Sequence, residues 1–185
     1  MTHTMYLIGY PGSGKSTTLG LVAAEMGADD LEPFTNPVAH YAWYTAAGDF
    51  LDVVELGRRR AAFGGTDALG MSAGPKAIEL VKGLTVHESP PAWIIGEGDR
   101  LAYRKFLDAC PNLVLILLEL PPEMARERSV RRAKELDVAP QAESWFRGRV
   151  TKVDNLVKAY EGSLFRVDAT MTAEHNARVL ADMLR

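Results

Sequence analysis

One stretch near the start of the chain constrains its fold and its ligand more than any other feature. Residues 9–16 read Gly-Tyr-Pro-Gly-Ser-Gly-Lys-Ser and match the pattern G-x-x-x-x-G-K-[ST] in full. This pattern is typical of a loop whose backbone N–H groups surround phosphate, provided that it follows a buried strand and opens a helix. Both flanks fit, because residues 5–8 are an apolar run suited to a strand and residues 17–26 carry apolar side chains at helical spacing.

The residue types of this loop predict its ligands. Gly12 and Gly14 let the backbone approach phosphate closely, Lys15 can reach the β- and γ-phosphates, and the Ser16 hydroxyl is placed to bind Mg²⁺. We therefore predict ATP and Mg²⁺ as cofactors. The predicted nucleotide-binding residues, among which Ser16 is also the predicted metal ligand, are Gly9, Pro11, Gly12, Ser13, Gly14, Lys15, Ser16 and Thr17.

Composition limits the kinds of partner that the chain can bind. With 185 residues, 47% of them hydrophobic and 24% charged, the chain fits a single domain, 1–185, with an ample core. The sequence has no apolar run long enough to cross a membrane and no signal peptide, so we expect a cytoplasmic protein. The net charge of −3 gives no basic field for nucleic acid, so any such contact must be local.

Strand and helix patterns alternate along the chain and predict an α/β fold. We expect a three-layer phosphate-loop (P-loop) fold, with about five mostly parallel strands flanked by helices. It would carry an arginine-rich helical lid at about 122–150 and an inserted β-hairpin inside an acceptor-loop region at about 31–75. Met71 and Trp93 are predicted to lie in the core. The predicted strands are 5–8, 38–45, 50–56, 92–95, 113–118 and 164–167, with a turn at 46–49, and the predicted helices are 17–26, 75–82, 101–109, 121–136, 144–160 and 173–184.

Two acidic residues follow a predicted core strand, at the sheet edge where such folds bind ligands. Glu97 and Asp99 lie just beyond residues 92–95, where a carboxylate can hold a magnesium-bound water or accept a proton from an attacking hydroxyl. The sequence does not decide which of them is the base. Asp99 is the first choice because Arg100 follows it, and Glu97 and Asp67 are the alternatives.

Arginines supply the remaining predicted chemistry. Arg128 and Arg132 share a helix face and are predicted to stabilise the transferring phosphate. Arg147 and Arg149 offer a second arm of the lid. In the segment 58–69, Arg58 and Arg60 are predicted to bind the phosphate of an acceptor, Phe63 to stack on its base and Asp67 to contact a hydroxyl or base edge.

The chain resembles the small P-loop kinases of the nucleoside and nucleotide kinase type. The resemblance rests on the phosphate loop, Glu-Gly-Asp-Arg at 97–100, Leu-Glu-Leu-Pro-Pro-Glu-Met-Ala-Arg-Glu-Arg at 118–128 and Phe-Arg-Val-Asp-Ala at 165–169. It implies a five-stranded parallel sheet, a mobile arginine lid and an acceptor near Asp99 and Arg100. The stretches at 55–60, 63–69 and 97–101 are similar to phage-associated kinases proposed to phosphorylate hydroxymethyluracil in DNA, which makes modified DNA the sharpest candidate acceptor.

Other functions share parts of the same pattern. Free nucleosides, nucleoside monophosphates or another small metabolite are alternative acceptors. A regulatory GTPase would use Asp67–Gly70 as D-x-x-G and Thr151–Asp154 as [NT]-K-x-D, but these motifs do not end apolar strands in this sequence. An ATPase without an acceptor would not need the arginine-rich helix or the acceptor loop. The sequence leaves the oligomeric state and the preference for ATP over GTP open.

Overall fold

Six strands form one sheet in the computed structural model, which describes residues 1–28, 31–44, 51–60 and 64–185. The spatial order is β2-β3-β4-β1-β5-β6. Every neighbouring pair is parallel except β2 with β3. The strands are β1 (His3–Ile8), β2 (His40–Tyr44), β3 (Leu51–Leu56), β4 (Trp93–Glu97), β5 (Leu113–Glu119) and β6 (Ser163–Asp168).

Helices cover both faces of the sheet. Side chains of β1 alternate between two cores, because Met5 and Leu7 pack with α1 and α6 whereas Tyr6 and Ile8 pack with α2 and α3. No helix within the described ranges is long and apolar enough to span a bilayer. The helices are α1 (Lys15–Glu25), α2 (Ala73–Thr85), α3 (Arg104–Leu107), α4 (Pro122–Glu135), α5 (Glu143–Ala159) and α6 (Ala173–Leu184), with a short 3-10 helix at Thr66–Ala68.

The predicted fold class is confirmed, since the six predicted strands form one sheet and five of them run parallel. The predicted hairpin is not an appendage, because β3 pairs in parallel with β4 and β2 continues the same sheet as an antiparallel edge. Its predicted turn at 46–49 lies outside the described residues. This arrangement places the carboxyl ends of β1, β3 and β4 side by side, which is where the P-loop, the segment 57–69 and the turn after β4 begin.

Three local predictions meet different outcomes. The helix expected at 101–109 is shorter in the structure, where α3 covers only Arg104–Leu107. Asp67 binds the backbone N–H groups of Asp99 and Arg100 and holds the preceding turn. Met71 was expected in the core, and this was wrong, since it is 86% exposed. Trp93 is partly buried and packs against the core, as predicted.

Candidate active site

The P-loop between β1 and α1 has a backbone that favours glycine. Gly9, Gly12 and Gly14 have φ angles of 151°, 91° and 92°, and the last two lie in a region that L side chains rarely adopt. A Cβ atom on Gly12 would lie 2.2 Å from the Ala125 carbonyl oxygen, so α4 packs directly on the loop. The helix that carries most of the predicted lid arginines therefore touches the phosphate loop itself.

Lys15 stands at the centre of the charged groups. Its ammonium donates to the carbonyl oxygens of Gly9 at 2.9 Å and Tyr10 at 3.1 Å. Burial lowers the pKa of Lys15, Glu97 and Asp67 oppose that shift, and Arg132 adds to it. The two carboxylates and the arginine that act on the Lys15 pKa are residues that the sequence assigned to the site.

Glu97 ends β4 beside the P-loop. Ser16 Oγ donates to Glu97 Oε1 at 2.6 Å, and Glu97 is only 2% exposed. Burial raises the pKa of Glu97, while Lys15 and the Ser16 hydroxyl pull it down. A hydroxyl oxygen next to a carboxylate is the kind of donor pair that Mg²⁺ prefers, so Ser16 and Glu97 fit the predicted metal.

A tight turn from the acceptor-loop region packs on Glu97. Gly65 has a φ of +61°, and a Cβ there would lie 2.1 Å from Glu97 Oε1. Thr66 Oγ1 donates to the Glu97 carbonyl at 2.8 Å and lies 2.7 Å from the Tyr6 hydroxyl. The sequence reasoning missed Tyr6, Gly65 and Thr66 as supports of the site, although the double glycine at 64–65 was a signal for close approach.

Asp67 fastens the loop that follows β4. Its Oδ1 accepts hydrogen bonds from the backbone nitrogens of Asp99 and Arg100, both at 2.8 Å. These contacts join two segments more than thirty residues apart. Asp67 therefore lies beside the turn after β4, and one of its carboxylate oxygens binds backbone N–H groups.

Asp99 pairs with cations of α5. Its carboxylate forms ion pairs with Arg149 and with Lys152, the latter at 2.7 Å, and Lys152 also donates to the Asp99 carbonyl at 2.8 Å. Burial lowers the pKa of Lys152, and the cations Arg149 and Arg100 lower it further. The acid that the sequence favoured as the base is thus placed against the lid region, whereas Glu97 is the acid beside Ser16.

The P-loop also contacts α5 through Tyr10. The Tyr10 hydroxyl donates to Asp154 Oδ1 at 2.6 Å, and burial together with this carboxylate raises the pKa of Tyr10 to about 12. The same helix therefore reaches both the phosphate loop and, through Arg149 and Lys152, the turn after β4. Sequence reasoning gave no role to Tyr10, because the P-loop pattern leaves its position unspecified.

The predicted lid arginines divide into different environments. Arg128 donates to the Ala169 carbonyl at 2.9 Å and so joins α4 to the turn before α6. Arg132 is the one that acts electrostatically on Lys15. Arg126 and Arg147 both pair with Glu143, at 3.1 and 3.0 Å, which connects α4 to the first turn of α5.

The arginine triplet at 58–60 is only partly available to an acceptor. Arg58 exchanges two backbone hydrogen bonds with Gly65, and Arg60 is exposed. The middle arginine, Arg59, donates to the Ala28 carbonyl at 2.6 Å, pairs with Glu55 and lies 4.5 Å from the Tyr41 ring centroid. Arg59 therefore holds the loop to the sheet. Phe63, the predicted stacking residue, lies outside the described residues.

The two short motifs of the GTPase alternative do not lie at strand ends. Asp67–Gly70 begins within the 3-10 helix Thr66–Ala68. Thr151–Asp154 lies inside α5. Base and metal recognition in a regulatory GTPase needs these acids at the ends of core strands, so the fold disagrees with that alternative.

A mostly parallel sheet with a P-loop after β1 and an acid at the end of the neighbouring β4 is typical of P-loop nucleotide-binding proteins. The model of the family P-loop Nucleotide Kinase3 matches residues 1–183, so the chain belongs to that family. No curated protein sequence matches this chain significantly.

Solved structures agree with the fold. The deoxyadenosine kinase from M. mycoides with bound dATP is 14% identical, with 98% of each chain covered and a TM-score of 0.50. A gluconokinase from Sinorhizobium meliloti 1021 is 16% identical, with 98% of this chain and 95% of that chain covered and a TM-score of 0.48. At 14% identity, the similarity to the deoxyadenosine kinase supports the fold alone. The similarity to the gluconokinase has a TM-score of only 0.48 and supports no further conclusion.

Proposed function

We propose that the protein is an ATP-dependent kinase that transfers the γ-phosphate to a hydroxyl of a nucleoside- or nucleotide-type acceptor. The observation that carries this proposal is the contact between Ser16 and Glu97 beside the partly buried Lys15. It places a phosphate-binding cation, a metal-binding hydroxyl and a carboxylate within one cluster. Phosphoryl transfer requires this combination of charge neutralisation and positioning more than it requires covalent catalysis.

The proposed donor half uses residues of the P-loop and α4. Backbone N–H groups of the loop bind the ATP phosphates, and Lys15 neutralises charge on the β- and γ-phosphates. Arg132, which already acts electrostatically on Lys15, adds positive charge on the side of α4, and Arg128 orients the turn before α6. Mg²⁺ held by Ser16 would draw electron density from the phosphate oxygens.

The proposed reaction moves the γ-phosphoryl group of ATP to the acceptor hydroxyl. The acceptor hydroxyl oxygen bonds to the γ-phosphorus, and the bond from that phosphorus to the β–γ bridging oxygen breaks and releases ADP. The hydroxyl proton passes to a carboxylate, for which Glu97 is our choice because Asp99 is paired with two cations of α5. The raised pKa of Glu97 suits a group that must accept a proton and release it again.

The acceptor half is the turn after β4 with the acceptor-loop region. The Arg100 backbone nitrogen donates to Asp67, which holds Arg100 next to the acid cluster of Asp67 and Glu97. Arg58 and Arg60 lie on the adjoining segment. Among nucleotide-type acceptors we propose the hydroxymethyl group of hydroxymethyluracil in DNA. The support for this finer proposal is the similarity of 55–60, 63–69 and 97–101 to phage-associated kinases, together with the exposed Arg60 on the adjoining segment.

A transfer assay with γ-labelled ATP tests the proposal. The acceptors are single-stranded and duplex DNA with hydroxymethyluracil, the free modified deoxynucleoside and its monophosphate, ordinary nucleosides and monophosphates, and gluconate. Label in the modified DNA supports the full proposal, and label in a free nucleoside or nucleotide alone refutes the DNA acceptor but keeps the kinase. Acceptor transfer is refuted if, with every acceptor, the label appears only in inorganic phosphate and this hydrolysis requires Lys15.

A further inference from the structure

Met71 is an exposed apolar side chain at the edge of the proposed acceptor site. It lies in the turn between the 3-10 helix and α2, and 86% of its surface is exposed. The Arg100 guanidinium contacts its sulfur, and the Arg100 backbone nitrogen is bound to Asp67. One residue, Arg100, therefore links Met71 directly to the acid cluster around Lys15. Single exposed apolar residues are common, and it is this location that distinguishes Met71.

Two segments that pack together next to Met71 carry positively charged side chains. A Cβ atom on Gly74 would lie 2.4 Å from the Tyr103 hydroxyl oxygen, so the start of α2 touches the start of α3. Segments 71–76 and 100–105 contain four cations and no acidic residue, in a chain with a net charge of −3. Lys76, Arg104 and Lys105 are exposed. Arg104 has one partner, Asp108 at 3.5 Å, and that pair is open to water and weak.

The hydroxymethyl group of a stacked base lies in the major groove of duplex DNA, whereas the proposed catalytic acid lies inside a cleft. Glu97 is 2% exposed and Lys15 is partly buried, so an acceptor group must enter the cleft to meet the γ-phosphate. Enzymes that act on a base in duplex DNA turn the nucleotide out of the helix, and apolar side chains such as Met fill or open the base step. Methionine is unbranched and adapts its shape to such a gap.

We propose that Met71 inserts into the base stack of duplex DNA and that Lys76, Arg104 and Lys105 bind the flanking phosphates. The inference rests on the proposed function, because it assumes a DNA acceptor. Arg100, which contacts both Met71 and the turn held by Asp67, connects the inserted side chain to the site that receives the extruded base. Phosphate contacts of this kind position the duplex without reading its sequence.

Substitution of Met71 tests the insertion. The assay compares Met71→Ala and Met71→Leu on a short duplex with one hydroxymethyluracil, on the same single strand and on the free modified deoxynucleoside. We expect Met71→Ala to lower kcat/KM for the duplex by about 10- to 100-fold, with little change for the single strand, because only the duplex must be opened. Met71→Leu should retain most of the duplex activity. Val86→Ala, at the exposed far end of α2, is the matched control.

A fluorescent base analogue next to the modified base gives a readout besides turnover. Its fluorescence should rise when native protein binds the duplex and should rise less with Met71→Ala. Two results would overturn the insertion. One is an equal loss of kcat/KM on the duplex and on the single strand in Met71→Ala, and the other is an unchanged rise in fluorescence with that variant.

The cations are tested by the salt dependence of duplex binding. The double variant Arg104→Ala/Lys105→Ala should weaken binding and reduce the slope of log K against log salt by about two, one for each lost phosphate contact. Arg178→Ala, on the exposed face of α6, should leave the slope unchanged. An unchanged slope in the double variant would refute the phosphate contacts.

Failure of this inference differs from failure of the kinase proposal. If the native protein phosphorylates only free nucleosides or nucleotides, the duplex inference falls and the kinase stands. If Met71→Ala matches native protein on every DNA substrate, the insertion falls and the DNA acceptor stands.

Discussion

The Ser16 hydroxyl donates a hydrogen bond to Glu97 Oε1 at 2.6 Å, and this contact joins the phosphate loop to the neighbouring strand. Ser16 lies in the first turn of α1 and Glu97 ends β4, so the contact depends on the parallel pairing of β1 with β4. Lys15 lies beside the same carboxylate and affects its pKa. The donor and acceptor halves of the proposed site therefore meet at Glu97.

Glu97 and Asp99 can be separated by neutral isosteres. Glu97→Gln removes a carboxylate beside Ser16, and we expect kcat to fall by about 100- to 1000-fold if it acts as a general base. Asp99→Asn removes two partly exposed ion pairs, so we expect a smaller fall in kcat and a melting temperature lower by about 2–4 °C. Kinetics and thermal melts of both variants check this. A larger kcat loss in Asp99→Asn would return the base assignment to Asp99.

Lys15 is expected to act on the transferring phosphate. Lys15→Met removes the positive charge, and we expect kcat to fall by about 100- to 1000-fold, since electrostatic stabilisation of phosphoryl transfer is lost. Lys158→Met, an exposed position on α5, provides the control. Measured turnover that falls equally in both variants would contradict the role of Lys15.

The raised pKa of Glu97 predicts a pH dependence of stability. The ordinary value is 4.5, and burial raises it in the folded state. The folded protein thus holds this proton more tightly than the unfolded chain does. The resulting contribution to stability is complete below pH 4.5 and is lost as the pH rises through the raised folded pKa.

Glu97→Gln imitates the protonated form at every pH. The variant should therefore gain melting temperature relative to the native protein as the pH increases from about 4.5 towards neutrality. Thermal melts across this range measure the difference. A difference that stays constant, or one that shrinks with rising pH, would contradict the raised pKa.

Gly65 is expected to be sensitive to a single methyl group. Gly65→Ala would put a Cβ atom 2.1 Å from Glu97 Oε1 and would strain a φ of +61°. We expect a stability loss of about 1–3 kcal/mol and a clear fall in kcat, because the carboxylate must move. Gly70→Ala, with open space at its Cβ position, should change neither quantity much. Chemical denaturation and turnover assays of this pair give the test.

Much of the fold followed from local patterns. Short apolar runs and helical spacing predicted the strands and most helices, because burial imposes its periodicity on neighbouring residues. The C-terminal helix was predicted at 173–184 and is observed at Ala173–Leu184. The helix predicted at 101–109 is shorter in the structure, where α3 covers only Arg104–Leu107. The turn before it is held by Asp67, which is distant in sequence.

The sequence predicted which acidic residues belong to the candidate site, but it did not predict which group each of them contacts. The sequence named Glu97, Asp99 and Asp67 as candidate acids and could not separate them. The structure assigns them three different partners: Ser16, the cations of α5, and the backbone of the turn after β4. In the arginine triplet, likewise, only packing shows that Arg59 binds Glu55.

The sequence by itself determined the phosphate loop, since Gly9 to Ser16 are contiguous and their backbone conformation is local. It also determined the alternation of strands and helices that makes the sheet parallel. Only the tertiary structure decided which acid lies beside Lys15 and that Met71 stands exposed next to Arg100. These relationships depend on contacts between segments that are far apart in the chain, and such contacts form only when the sheet brings β1, β3 and β4 together.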